Sequence, residues 1–424
     1  MNKVYIVDAC MGSGKTSAMI NMINKSSDSE LFLYVTPLIS ETERIVKACA
    51  TKHFIAPKAL FSKESKVISK KENLRKLLQN KRNIATTHAM FHLFDDEILD
   101  LCRDGGYTLI LDETTDVVNK YPMAYHDFKD FMNTHANSKD NGVLEWVDDK
   151  DGGESYTGNS GTKFLAEKSL FDFGNVVSCA DSCLLYIFPI KAFEAFARTY
   201  VLTYLFEGQM QKCYYDFYGV SYEYLYVKGT SPENYEITDA FHQYDTPSKF
   251  KSLIHICDND RMNAIGEAPN SLSKSWFQKN SKKKDAEEDL IKDLRNNMYN
   301  YFWRICVAHS DDAIWTVFKD YKQDCQPRGY AKGFVNSACR ATNEYKNTYV
   351  LAYGVNYFVD PFIKNYFTSN YVEFDDDLYA LSAMVQWIWR SAIRAGKDIN
   401  IYIPSSRMRG LLNDWLDNKY VKNS

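Results

Sequence analysis

The chain has 424 residues, with 51 basic residues against 55 acidic and a formal charge of −4. At about 100–200 residues per domain this length predicts two to three domains. The near-neutral balance excludes a protein that coats duplex DNA by bulk positive charge, while leaving room for a narrow basic groove. No apolar run approaches the ~20 residues that span a bilayer, and Met1–Asp8 is not a basic-then-apolar leader, so a cytoplasmic protein with no membrane partner is expected. The ten cysteines include no Cys-x-x-Cys pair and read as reduced thiols in a chain long enough to bury a core without disulfides. Cys179/Cys183 and His88/His92 are each four apart, but without further ligands nearby they read as structural.

In chain order, short apolar strands alternate with helical stretches. Val4–Val7, Leu31–Val35, Asn83–Thr86 and Thr108–Leu111 read as strands. Lys15–Asn24, Glu41–Ala50 and about Ala89–Leu101 read as helices. Such alternation predicts a parallel sheet with helices on both faces. Residues 138–161 are rich in Asp, Asn, Ser and Gly, which is turn chemistry and predicts an exposed hairpin insertion. Val201–Leu205 reads as a further strand of the first lobe. Glu207–Tyr244 is aromatic and strand-like, and reads as a linker with its own small structure; its clustered tyrosines read mostly as packing residues, though base stacking could use some. A second alternation follows: strands at Leu253–Cys257, Ala313–Phe318, Thr348–Ala352 and Ile399–Ile403, helices at Asp289–Ile305 and Leu378–Arg394, with Gln278–Glu288 as a charged surface loop. The expected fold is α/β, two RecA-like parallel-sheet lobes in tandem with small insertions: residues 1–206, a linker or accessory segment at 207–244, and residues 245–424.

Three segments carry chemistry. Ala9-Cys10-Met11-Gly12-Ser13-Gly14-Lys15-Thr16 follows a strand and opens a helix. It fits a phosphate-binding loop with alanine in the first small position. Gly12 and Gly14 let backbone N–H groups turn toward phosphate oxygens. Lys15 then reaches the β/γ-phosphates and the Thr16 hydroxyl holds Mg²⁺, so Met11–Thr16 is the expected ATP cradle. Leu109-Ile110-Leu111-Asp112-Glu113-Thr114-Thr115 is an apolar strand ending in two carboxylates. Asp112 is expected to hold Mg²⁺ and Glu113 to orient and deprotonate the attacking water. In Gln386-Trp387-Ile388-Trp389-Arg390-Ser391-Ala392-Ile393-Arg394, Gln386, Arg390 and Arg394 are spaced i, i+4 and i+8, one face of a helix. Those arginines are expected to meet the γ-phosphate, since the guanidinium fork suits phosphate better than lysine does.

The order of these motifs resembles the superfamily 2 helicases, of the DExx-box kind found in phage and viral replication, over nearly the whole chain. Ala9–Thr16 looks like motif I, Asp112–Thr115 like motif II and Gln386–Arg394 like motif VI. Val35–Leu38 is similar to motif Ia, Ala85–His88 to motif Ib, Val201–Thr203 to a degenerate motif III and Thr348–Asn356 to motif V. The resemblance implies that Thr36, Pro37, Thr86, Thr87 and Thr348 touch a nucleic-acid backbone and that Asn356 lies near the nucleotide. The Asp-Glu-Thr-Thr box is neither a DEAD nor a DEAH form, and Trp389 stands where many members have glycine. The expected activity is an ATP- and Mg²⁺-dependent nucleic-acid helicase or translocase. Its expected partners are nucleic acid, with DNA favoured over RNA, and replication proteins, and it is expected to work as a monomeric motor. The alternatives are a terminase-like packaging ATPase and a nucleotide kinase. The lysines and arginines from Lys63 to Arg82 could line a nucleic-acid path, but a solvated helix face is the preferred reading.

Overall fold

The computed structural model describes residues 3–61, 67–139, 142–147, 164, 167–168, 170–171, 174–179, 183–240, 246–281, 289–337 and 344–420. They form two compact units: one of Met1–Asp8, Lys15–Asp239 and Asp360–Phe374, the other of Ala9–Gly14, Ala240–Val359 and Asp375–Ser424. The expected α/β class with parallel sheets is what the chain adopts.

In the first unit, β1 (Lys3–Asp8), β2 (Phe32–Thr36), β5 (Ile84–Thr87), β6 (Thr108–Asp112), β12 (Arg198–Thr203), β13 (Tyr222–Lys228) and β14 (Glu236–Thr238) make a seven-stranded sheet. Its order is β14-β13-β1-β12-β6-β2-β5, parallel throughout except for the antiparallel β13–β14 pair. Strands β2, β5 and β6 are nearly continuous runs of buried residues, the pattern of strands covered on both faces. The register places Asp8 beside Thr203, Asp112 beside Leu202 and Thr36 beside Thr87. The chemistry-bearing residues therefore share the carboxyl edge of one sheet, where open α/β sheets bind ligands.

Helices α1 (Lys15–Lys25), α2 (Ile39–Ala48) and α3 (Lys70–Gln79) fall in the expected places or fill gaps between strands. The helix expected over Ala89–Leu101 is two helices, α4 (His88–Phe91) and α5 (Asp96–Gly105). Asp95 accepts from the Ile98 N–H and starts α5 as an N-cap, which an aspartate favours over a helix interior. On α3, Lys71 pairs with Asp95 at 2.7 Å, and Arg75 pairs with Asp95 and Glu97 at 2.6 and 2.9 Å. Lys71 and Arg75 thus dock α3 on α5 rather than standing on the solvated face expected of this segment; residues 62–66 lie outside the described residues. A two-residue ladder, β3 (Leu60–Phe61) with β4 (Val67–Ile68), precedes α3.

The insertion is larger than the expected hairpin. Between β6 and β12 the chain builds a second, antiparallel sheet of β7 (Val118–Pro122), β8 (Ala136–Ser138), β9 (Val143–Trp146), β10 (Asn175–Cys179) and β11 (Cys183–Ile187), in the order β7-β11-β10-β9-β8. Helix α6 (Tyr125–Thr134) joins β7 to β8. Phe128, Phe131, Ala136, Leu144, Phe164, Val176 and Leu184 form a core of its own. Residues 140–141 and 148–163, most of the turn-rich stretch, lie outside the described residues. The strands flanking that stretch were missed because they are short, and β7 (Val-Asn-Lys-Tyr-Pro) carries little apolar alternation. The helix Pro361–Ser369 also belongs to this unit. Lys120 on β7 pairs with Asp360 at 3.1 Å and sits 3.9 Å from the centre of the Phe362 ring.

The segment expected as a linker is instead continuous with the first sheet. Strand β13 pairs in parallel with β1 over Val4–Val7. Its tyrosines pack: Tyr214 and Tyr215 are fully buried, Tyr214 donates to the Phe188 carbonyl at 2.7 Å and Tyr224 to Glu207 at 2.7 Å.

The second unit holds a four-stranded parallel sheet of β15 (Ile254–Ile256), β16 (Ala313–Thr316), β17 (Val350–Tyr353) and β18 (Ile399–Tyr402), ordered β15-β18-β17-β16. One core joins Trp315, Tyr402, Leu294, Met298 and Phe302. The Trp315 indole N–H donates to the Tyr330 carbonyl at 2.7 Å, so this fully buried ring leaves no donor unpaired.

Candidate active site

Strand β1 ends at Asp8 and α1 starts at Lys15, so Ala9–Gly14 is a tight strand-to-helix loop. Gly12 and Gly14 have φ of +80° and +85°, the left-handed region that glycine enters without strain. The first turn of α1 carries no acidic residue, which leaves the positive end of the helix dipole for an external anion. The Ser13 hydroxyl is buried without a hydrogen-bond partner among the described residues. A buried orphan at this position suits a phosphate oxygen.

Asp112 closes β6. The Thr16 hydroxyl lies 3.3 Å from both of its carboxylate oxygens, and the Tyr34 hydroxyl donates to one of them at 3.2 Å. Burial, and then the neighbouring Glu113, push the Asp112 carboxyl up to about 6, while Arg44 and the Tyr34 hydrogen bond act in the opposite sense. A carboxylate held this reluctantly gains most from a cation beside it. One hydroxyl and one carboxylate, oxygen donors only, fit a hard divalent ion such as Mg²⁺ that keeps most of its water.

Glu113 is the strained residue of the site, with φ of +77°. A non-glycine residue in the left-handed region costs of order 1–3 kcal/mol and persists only when its surroundings impose it. Here they do. The Glu113 N–H donates to the Leu202 carbonyl at 2.9 Å. The Thr114 hydroxyl donates to Gln209 Oε1 at 2.5 Å, and the Thr115 N–H to Gln211 Oε1 at 2.9 Å. His88 Nε2 lies 3.2 Å from the Asp112 carbonyl and His92 Nε2 2.8 Å from the Thr115 hydroxyl. The two histidines are structural, and what they brace is the acidic turn. Sequence reasoning missed Tyr34, Gln209 and Gln211, because none stands in a recognisable motif; only folding brings Gln209 95 residues back to Thr114.

The expected backbone-gripping threonines have their hydroxyls largely engaged within the protein. Thr36 bonds the Leu38 carbonyl and Thr42 at 2.9 Å each. Thr87 caps α4 by accepting from the Met90 N–H. Thr86 is the exception: it is buried inside β5 with its hydroxyl lacking a hydrogen-bond partner among the described residues. Pro37 is half-buried just past β2. Thr348 precedes β17, at the end of the strand opposite Gly354–Asn356, and donates to the Tyr345 carbonyl at 2.8 Å.

In the second unit the single helix expected over Leu378–Arg394 is not continuous, and its one-face spacing fails. The helix Asp376–Ile388 stops there. Ser391 is extended (φ −85°, ψ −171°), and a 3-10 turn covers Ala392–Ala395. Two local bonds account for the break. The Ser391 hydroxyl takes the Ile388 carbonyl at 2.7 Å, and the Ala392 N–H goes to the Thr348 carbonyl at 2.8 Å rather than back into the helix. Breaking the helix buries Trp389 and Ile393 as well as Trp387 and Ile388, which one regular helix face could not do. Gln386 donates to the Ser382 hydroxyl at 3.2 Å. Arg390 is buried and donates to the Asn336 carbonyl at 3.4 Å. Arg394 stands exposed on the 3-10 turn.

Asn356 is 1% exposed. It donates to the Pro269 and Ser271 carbonyls at 2.9 and 3.1 Å and accepts from Arg407 at 3.0 Å. Arg407 also holds the Tyr357 and Asp376 carbonyls and the Asp377 carboxylate. Asn356 thus ties three chain segments together. Replacing it by alanine is expected to destabilise the protein by about 1–3 kcal/mol, because buried carbonyls lose their donor; thermal unfolding measures this.

Residues 248–416 match the family model of the YonV C-terminal Rossmann-like domain. Over 423 residues the chain is 39% identical to the SPbeta prophage-derived uncharacterized protein YonV of Bacillus subtilis strain 168, covering 99% of this chain and 100% of that one. The chain belongs to the YonV family. The family's C-terminal domain contains the whole second parallel sheet, from β15 to β18. Among solved structures, the chain is similar to S. tokodaii Xpd4 at 12% identity and a TM-score of 0.45, covering 97% of this chain and 94% of that one. It is also similar to the DUF1998 helicase MrfA bound to DNA and AMPPNP, at 8% identity and a TM-score of 0.35, covering 97% of this chain and 48% of that one. Likenesses this distant carry no functional weight. Among the described residues, no helix is long and apolar enough to cross a membrane.

Proposed function

We propose that this YonV-family protein is a nucleic-acid-stimulated ATPase that works as a helicase or translocase, with DNA as the favoured track. The observation that carries the proposal is the pairing of the Thr16 hydroxyl with both Asp112 oxygens at 3.3 Å, directly beside the left-handed Glu113. A loop that cradles phosphates, an oxygen pair for a divalent ion and an adjacent strained carboxylate together make a hydrolytic site rather than a nucleotide store.

In this reading the backbone of Met11–Gly14 and the start of α1 bind the phosphates, and Lys15 neutralises them. Thr16 and Asp112 hold Mg²⁺, which supplies charge neutralisation at the phosphate oxygens. Glu113 orients the attacking water and accepts its proton. Arg394, exposed on its 3-10 turn, stabilises charge on the transferring phosphoryl group; Arg390 is buried against the Asn336 carbonyl. The carboxyl ends of β2 and β5, at Thr36–Pro37 and Thr86–Thr87, lie along the nucleic-acid backbone and position it without reading bases.

The deciding experiment compares ATP hydrolysis alone and with single-stranded DNA, duplex DNA and RNA. Stimulation by any of them is expected, and none by all three would overturn the motor reading. Lys15→Ala is expected to abolish ATP binding, measured by titration calorimetry. Tight ATP binding by that variant would remove the phosphate loop from the mechanism.

A further inference from the structure

We infer that Gln209 is a positioning residue for hydrolysis: through Thr114 it holds Glu113 in the backbone conformation that aims its carboxylate. The inference rests on the hydrolase reading above.

Gln209 is 7% exposed and stands just before the helix Met210–Phe217. Its Oε1 accepts from the Thr114 hydroxyl at 2.5 Å. Its Nε2 donates to the Thr203 hydroxyl at 2.8 Å and to the Tyr204 carbonyl at 2.7 Å. Both ends of the amide are thus assigned, and the oxygen must face Thr114. One side chain links the residue after Glu113 to the end of β12, the strand whose Leu202 carbonyl receives the Glu113 N–H. Gln211 makes a parallel link, accepting from the Thr115 N–H at 2.9 Å and donating to the Tyr215 hydroxyl at 2.8 Å.

The geometry calls for such a clamp. An L-residue at φ +77° relaxes toward negative φ unless its neighbours prevent it. The N–H on the near side of Glu113 is fixed by β12, and the far side is fixed by Thr114. Releasing Thr114 lets the turn relax and swings the Glu113 carboxylate away, while leaving the phosphate loop, Thr16 and Asp112 in place. Gln209 therefore acts on turnover and not on nucleotide affinity.

The test measures kcat and KM for ATP, binding of a non-hydrolysable ATP analogue, and thermal stability. The proteins are the full-length wild type, Gln209→Leu, Thr114→Val, the double variant and Thr114→Ser. The leucine and valine variants are each expected to lower kcat by about tenfold or more, with KM and analogue affinity within about threefold of wild type. The double variant is expected to be no worse than the poorer single, because both remove the same link. Thr114→Ser, which keeps the hydroxyl, is expected to retain wild-type kcat. Unchanged kcat in Gln209→Leu, multiplied losses in the double variant, or equal losses of affinity and turnover would each overturn the assignment. If Gln209→Leu does not fold, the Thr114→Val and Thr114→Ser pair decides alone: a kcat loss in valine that serine rescues supports the clamp, and equal kcat in both overturns it. A wild type without hydrolysis brings down the hydrolase reading and this one together; an active wild type with an unaffected Gln209→Leu brings down only this one.

Discussion

Glu113→Gln is expected to bind ATP as the wild type does and to turn it over about 10²–10⁴-fold more slowly, the usual contribution of a positioned general base. The substitution keeps size and loses only the charge and the basicity. The bonds that brace the turn involve the Glu113 N–H, Thr114 and Thr115, not the Glu113 carboxylate, so the fold is expected to survive. Removing a negative charge beside Asp112, whose carboxyl Glu113 helps to push up, leaves Asp112 more readily ionised. Metal-dependent ATP binding is therefore expected to be no weaker than in wild type. Single-turnover kinetics alongside equilibrium binding check both halves. Undiminished turnover in this variant would assign the base elsewhere.

Under the role proposed for it, Arg394→Ala is expected to keep nucleotide binding and to lose about 10³–10⁵ in turnover. Arg394→Lys is expected to recover little, since lysine offers a point charge in place of a planar fork. Arg390 makes an internal contrast. It is buried against the Asn336 carbonyl, so Arg390→Ala is expected to lower the melting temperature, with its kinetic loss following from instability. Removing a buried charge-assisted donor costs about 1–3 kcal/mol. If Arg394→Ala leaves turnover intact at saturating ATP and nucleic acid, the segment Gln386–Arg394 has a structural role only.

Much of the chain could be read before folding. The glycine loop between β1 and α1 and the strand ending in Asp112-Glu113 are local patterns, because a glycine turn between strand and helix and an apolar run ending in carboxylates are set by neighbouring residues. The same holds for β1, β2, β6 and β12 of the first sheet and for the strands of the second, whose apolar runs need no partner to be recognised; β13 and β14, read as a linker, join the first sheet only through their pairing with β1 and with each other. The helix through Arg394 misled for an equally physical reason. Its i, i+4 spacing is genuine, but Ser391 and Ala392 find other hydrogen-bond partners, the Ala392 N–H at the distant Thr348 carbonyl, and a non-local bond leaves no mark on local periodicity. The inserted sheet escaped for a related reason: its short strands pair with one another across turn-rich sequence and share a core only once assembled.

By itself, the sequence determined the α/β class, the glycine turn between β1 and α1 and the acidic pair at a strand end, because each depends on residues within one or two turns of the chain. Tertiary structure alone decided that Thr16 meets Asp112, that Glu113 is left-handed and that Gln209 meets Thr114. It also decided that Asn356 is a structural tie and that Arg390 is buried while Arg394 is exposed. These are contacts between residues far apart in the chain, chosen by which arrangement satisfies buried polar groups and fills the core at once.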